Sequence, residues 1–79
     1  MTTTQPTIRL RMDVVTALRE LRDLEQDKDL AAAMGVNQSS VSRVMRGVSQ
    51  PGPKFIASLC RTLEAPMNKL FVIDEGVAA

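Results

Sequence analysis

DKDLAAAMGVNQSSVSRVMRG, residues 27–47, is the stretch whose reading decides the fold. Its first eight residues read as a short helix, Asp27 to Met34. Leu30, Ala31 and Met34 fall on one face, and Asp27 and Asp29 sit in the first turn, where the positive end of the helix dipole favours carboxylates. Gly35 ends it, because a residue with no Cβ takes the left-handed backbone that a sharp reversal needs. Asn37 is then the cap of a second short helix, Gln38 to Met45, which Gly47 stops. Two helices crossing this closely need a small side chain at the contact, and Ala31 supplies it. The second helix buries the pair Val41 and Val44, and Val36 closes the turn. Taken together, Ala31, Gly35, Val41 and Val44 at these spacings make a helix-turn-helix pattern.

Outward from this unit the chain divides readily. A further helix spans Pro53 to Leu63, with proline tolerated in its first turn and Phe55, Ile56, Leu59, Cys60 and Leu63 facing inward. Between it and Gly47, the run Val48-Ser-Gln-Pro-Gly-Pro53 carries two prolines and a glycine, and reads as a loop. Pro66 opens a last short helix through Phe71. Upstream, the expected first helix runs from an Asp13 cap to Glu25, with Val14, Ala17, Leu18 and Leu21 on its inner face. Before it, Ile8, Leu10 and Met12 alternate with Arg9 and Arg11. This period of two predicts a short strand over 8–12, pairing near 70–73 of this chain or with a second subunit. The alternative readings are a basic arm reaching DNA and a lead-in to a longer first helix. The expected organisation is therefore a flexible N-terminus at 1–6, one domain at 7–73 and a tail at 74–79.

Composition narrows the function. The chain has 79 residues, so one small domain with a marginal core is expected. It contains no histidine and one cysteine, Cys60, which excludes an intrachain disulfide and the Ser-His and Cys-His nucleophile pairs. No Gly-rich phosphate loop and no apolar run of membrane-spanning length is visible, so an enzyme, a metal site or a cofactor is not expected. An intracellular protein is. The net charge of +1 hides an asymmetry: five acidic residues lie between Glu20 and Asp29, and none between Leu30 and Leu63. Arg43, Arg46, Lys54 and Arg61 occupy that acid-free stretch, as suits contact with a polyanion. Stepping 100° per residue around the second helix of the unit places Ser39, Ser42, Arg43 and Arg46 opposite the two valines, with Gln38 at the flank of the first turn. Glutamine, arginine and serine can each bond to base edges in a major groove.

The run Leu30 to Gly47 resembles, residue class by residue class, the second and third helices of the lambda-type phage repressors and Cro-like proteins. The likeness continues through Phe55 to Leu63 and closes at Leu70-Phe71. It implies a mainly α, compact five-helix bundle that binds double-stranded operator DNA, usually as a homodimer. On the matching positions, Gln38, Ser39 and Arg43, with Ser42 beside them, would face bases. Asn37, Ser40 and Arg46 would face phosphates or sugars, and Ser49, Gln50 and Lys54 would brace the DNA backbone. Family members often begin the second helix with a phosphate-clamping glutamine. The matching position here is Asp27, which leaves Gln26, one place earlier, as the candidate. With only eight residues after Phe71, no ligand-sensing pocket is expected. The resulting expectation is a bacterial or phage regulator, most simply a Cro-like repressor. The rival readings are an antitoxin that also binds a toxin, and a protein-docking module or antirepressor.

Overall fold

The computed structural model describes residues 6–74. In chain order these form strand β1 (Thr7–Leu10), helices α1 (Met12–Leu21), α2 (Asp27–Met34), α3 (Gln38–Met45), α4 (Pro53–Leu63) and α5 (Met67–Leu70), and strand β2 (Phe71–Asp74). The five helices surround a core of Val15, Leu30, Ala31, Met34, Val41, Val44, Phe55, Leu59, Leu63, Leu70 and Phe71. The three middle helices have the expected bounds, because each is a complete local unit of apolar stripe and stop signal.

The first helix departs from expectation. It starts one residue earlier, at Met12, ends at Leu21, and has Arg11 rather than Asp13 at its cap position. Its buried face is also rotated by one residue: Val15 and Arg19 are buried, while Ala17 is exposed and Leu21 is 75% exposed. The cause is Arg19, only 8% exposed. Its Nε donates to the carbonyl of Leu24 at 2.8 Å, and its Nη2 donates to the carbonyl of Glu25 at 2.8 Å and to Asp27 Oδ1 at 2.9 Å. A guanidinium satisfied by two carbonyls and a carboxylate is as buriable as a leucine, and its aliphatic stem packs like one.

Four helices end in the same way. A residue with positive φ (Asp23, Gly35, Gly47 and Glu64) follows each of α1 to α4. The next amide then reaches back to a carbonyl five residues earlier: Leu24 to Arg19, Val36 to Ala31, Val48 to Arg43 and Ala65 to Cys60. This satisfies carbonyls that the helix leaves open and reverses the chain. Glycine was the readable signal at two of these ends. At the other two an acidic residue takes the strained conformation, and Glu64 is held there by Arg22. The Arg22 Nη1 lies 2.8 Å from Glu64 Oε2, and its Nε donates to the carbonyl of Leu63 at 3.2 Å.

The N-terminal strand forms, and it pairs within the chain. β1 lies antiparallel to β2 with Thr7 opposite Asp74, Ile8 opposite Ile73, Arg9 opposite Val72 and Leu10 opposite Phe71. Met12, expected in the strand, belongs to α1; Phe71, expected to close the last helix, and Asp74, expected in the tail, belong to β2. The Ile8 amide donates outward to Gln50 Oε1 at 3.2 Å, and the Arg11 amide donates across to the carbonyl of Leu70 at 2.8 Å. Ladder bonds in an antiparallel pair alternate, so Ile8–Ile73 is a pair without mutual backbone bonds, and the Ile73 amide and carbonyl face away from β1.

Replacing Arg19 with alanine would strand Asp27 and two carbonyls, and is expected to cost about 3–5 kcal/mol in urea unfolding. Leu21→Ala should stay within about 0.5 kcal/mol. Asp23→Gly should stabilise by about 1 kcal/mol, by relieving the left-handed strain.

Candidate nucleic-acid interface

The turn between α2 and α3 sets the site. Gly35 has φ 73° and continues into Val36, which packs on the core while Ala31, at 3% exposure, lets α2 and α3 approach. Burial of Val41 and Val44 then fixes the rotation of α3. The opposite face carries Gln38, Ser39 and Arg43, all exposed, with Ser40 and Ser42 half-buried beside them. Among the described residues none of these five side chains has a hydrogen-bond or ion-pair partner, in contrast to Arg19 and Arg22. Two arginines hold the fold together, while Arg43 is left to solvent. Asn37 occupies the cap position of α3, but its side chain makes no cap bond, so the capping role expected of it is absent. Its carbonyl receives the amides of Ser40 and Val41 instead.

The loop after α3 adds the next residues. Ser40, Arg43, Ser49 and Gln50 line one shallow cleft of about 260 Å³ between α3 and the start of α4, with no acidic residue on its wall among the described residues. Arg46 is exposed and folds back along its own helix, its Nε 3.4 Å from the Ser42 carbonyl. Lys54 is exposed in the first turn of α4. Gln50 has a job that its sequence position did not announce, since its amide oxygen holds the Ile8 amide of β1. Gln26 stands apart from this group, exposed at the cap position of α2. Asp27, beside it, is neutralised by Arg19, so the carboxylate at the start of α2 serves the fold.

Sequence reasoning missed Arg19 and Arg22. The signal that could have found them is their period: Val15, Leu18, Arg19 and Arg22 make a helical stripe once an arginine stem is counted as apolar. Cys60 is half-buried on α4, and burial pushes its thiol above the ordinary range. It therefore stays protonated and is a poor nucleophile near neutral pH. Among the described residues no three His, Cys, Asp or Glu side chains gather as a metal site would require, and no helix is long and apolar enough to cross a membrane.

A polar helix face without side-chain partners among the described residues, flanked by Arg46 and Lys54 and mounted on a glycine turn, is the arrangement of a DNA-reading domain. A family model described as helix-turn-helix matches residues 15–70. The chain belongs to the XRE-type helix-turn-helix family, the lambda repressor and Cro-like group. No curated protein and no solved structure gave a match. This XRE-type domain is a DNA-binding regulatory one, of a family not usually enzymatic. The matched span begins inside α1 and ends at Leu70, so β1 and β2 lie outside it.

Gly35→Ala tests the turn. Nothing lies within 4 Å of an added Cβ, so only the left-handed backbone is penalised. The expected cost is about 1–2 kcal/mol in thermal or urea unfolding, with the fold retained.

Proposed function

We propose that this XRE-type protein is a sequence-specific repressor of the Cro-like kind, which occupies operator DNA as a homodimer. The observation that carries this reading is the outer face of α3: Gln38, Ser39 and Arg43 are exposed and unpartnered within the described residues, and no acidic residue occurs between Leu30 and Leu63. Helix α3 enters the major groove, where Gln38 suits an adenine edge, Arg43 a guanine edge, and Ser39 and Ser42 bond to bases while letting the helix approach closely. Asn37, Ser40, Arg46, Ser49 and Lys54 meet the sugar-phosphate backbone, with the amide nitrogen of Gln50, unpartnered among the described residues, beside them and Gln26 at the start of α2. Repression follows from occupying a promoter.

A second copy completes the reader. The outward Ile73 amide and carbonyl lie on the outer edge of β2, and exposed Met67 and Ile73 line an apolar groove with Ile8 and Phe71. An antiparallel pairing of β2 with its counterpart about an axis through Ile73 makes two reciprocal backbone bonds and stacks the two isoleucines. The half-sites would then lie about 34–36 Å apart on one face of the duplex.

Selection from a random duplex pool should enrich a palindrome with that spacing. Gln38→Ala and Arg43→Ala should each cost about 1–3 kcal/mol and relax one base position. Arg46→Ala and Lys54→Ala should weaken operator and random DNA alike and lower the salt slope by about one each. Equal losses on both DNAs for all four variants would refute these roles. Ile73→Asp should convert a sedimenting dimer to monomer, and an unchanged dimer would place the interface elsewhere.

A further inference from the structure

We propose that β1 and the turn into α1 form a second DNA-contacting element, in which Arg9 of the strand and Arg11 just past it hold phosphates of the same duplex that α3 reads. This rests on the DNA-binding reading above and extends the interface to a strand outside the family-matched span.

The strand is not a loose arm. The Ile8 amide is bonded to Gln50 of the α3–α4 loop on one side, and the ladder to β2 secures the other. Arg9 is therefore directed by the pleat. It shares the outer face of the sheet with Val72 and Asp74, opposite the face on which Leu10 and Phe71 meet the core. β1, its continuation into α1 and Val72 form one wall of an open groove of about 630 Å³, whose other wall is the end of α3 and the loop after it. Arg9 and Arg11 on the strand side and Arg46 and Ser49 on the other all line it. Among the described residues, Asp13 is the one carboxylate on the wall. Three arginines from the two sides thus border a cleft that opens beside the proposed reading helix.

The local pairing does not consume this charge. Arg9 Nε lies 3.7 Å from Asp74 Oδ2, with the arginine side chain 68% exposed, and an ion pair of that length in water is weak. Arg11 uses only its backbone, its amide donating to the Leu70 carbonyl and its carbonyl accepting the Val15 amide; its side chain has no partner among the described residues. Folding gains little from holding either side chain there. A guanidinium fork matches the oxygens of a phosphate, and the negative duplex beside α3 would supply one within reach of the groove.

The test compares wild type with Arg9→Gln/Arg11→Gln, which keeps most of both stems, and with Arg9→Lys/Arg11→Lys, which keeps the charge. Binding is titrated against salt on the duplex enriched by selection and on a random duplex of equal length. The glutamine pair should bind both duplexes more weakly by the same factor, roughly tenfold or more near physiological salt, with a log–log salt slope smaller by about two. Its base preferences should not change, and the lysine pair should recover most of the loss. Unfolding of each variant by urea is followed alongside, and Arg9→Ala/Arg11→Ala replaces the glutamine pair if the latter does not fold. A folded, charge-free variant with wild-type affinity and slope would overturn the proposal while leaving α3 as the reader. A loss confined to the enriched duplex would overturn the phosphate assignment and make these arginines base readers. If the wild-type protein binds neither duplex, it is the DNA-binding reading that fails.

Discussion

The guanidinium of Arg19 is the constraint on which the remainder of the structure depends. It leaves α1, crosses the α1–α2 turn and takes the carbonyls of Leu24 and Glu25 and the carboxylate of Asp27. One buried side chain thereby fixes the direction in which α2 departs and the rotation of α1 against the core. A domain this small buries little apolar surface, so a network of charge-assisted bonds to backbone oxygens carries unusual weight. It also explains an acidic start to α2 in a DNA-binding domain. Asp27 is held by a cation from its own fold, and its charge is not presented to a phosphate alone.

From that anchor the chain is reversed four times by one local device, a left-handed residue followed by an amide that reaches back five residues. The effect is to lay α2 and α3 at a fixed angle with a shared apolar seam of Ala31, Met34, Val41 and Val44. The outer face of α3 inherits its orientation from that seam. The arginines divide by their bonding. Arg19 and Arg22 are bonded to backbone and carboxylate, whereas Arg11 and Arg43 have no side-chain partner among the described residues.

The middle of the chain was legible because its signals are local. Gly35, Gly47 and the Pro51–Pro53 run mark ends and turns within a few residues of where they act, and the apolar stripes of α2, α3 and α4 contain little but apolar residues. Sequence periodicity places the first helix one residue out of register because its inward stripe includes Arg19 and Arg22, which sequence counts as solvent-facing. What makes them buriable lies elsewhere in the chain: Leu24, Glu25 and Asp27 for one, Leu63 and Glu64 for the other. The helix ends at Asp23 and Glu64 were hidden for a related reason, since a non-glycine left-handed residue is tolerated only where its surroundings hold it.

By itself, then, the sequence determined the helix-turn-helix unit, the family and the residues on the outer face of α3. Periodicity and turn chemistry are properties of neighbouring residues and survive without knowledge of the fold. Tertiary structure alone decided which arginines are structural, that β1 closes on β2 within one chain, and that Gln50 ties that strand to the α3–α4 loop. It also decided that Arg9, Arg11 and Arg46, up to 37 residues apart in sequence, border one groove. Such contacts join positions far apart along the chain, and their energies depend on burial and on the direction of backbone groups. Neither quantity exists until the chain has folded.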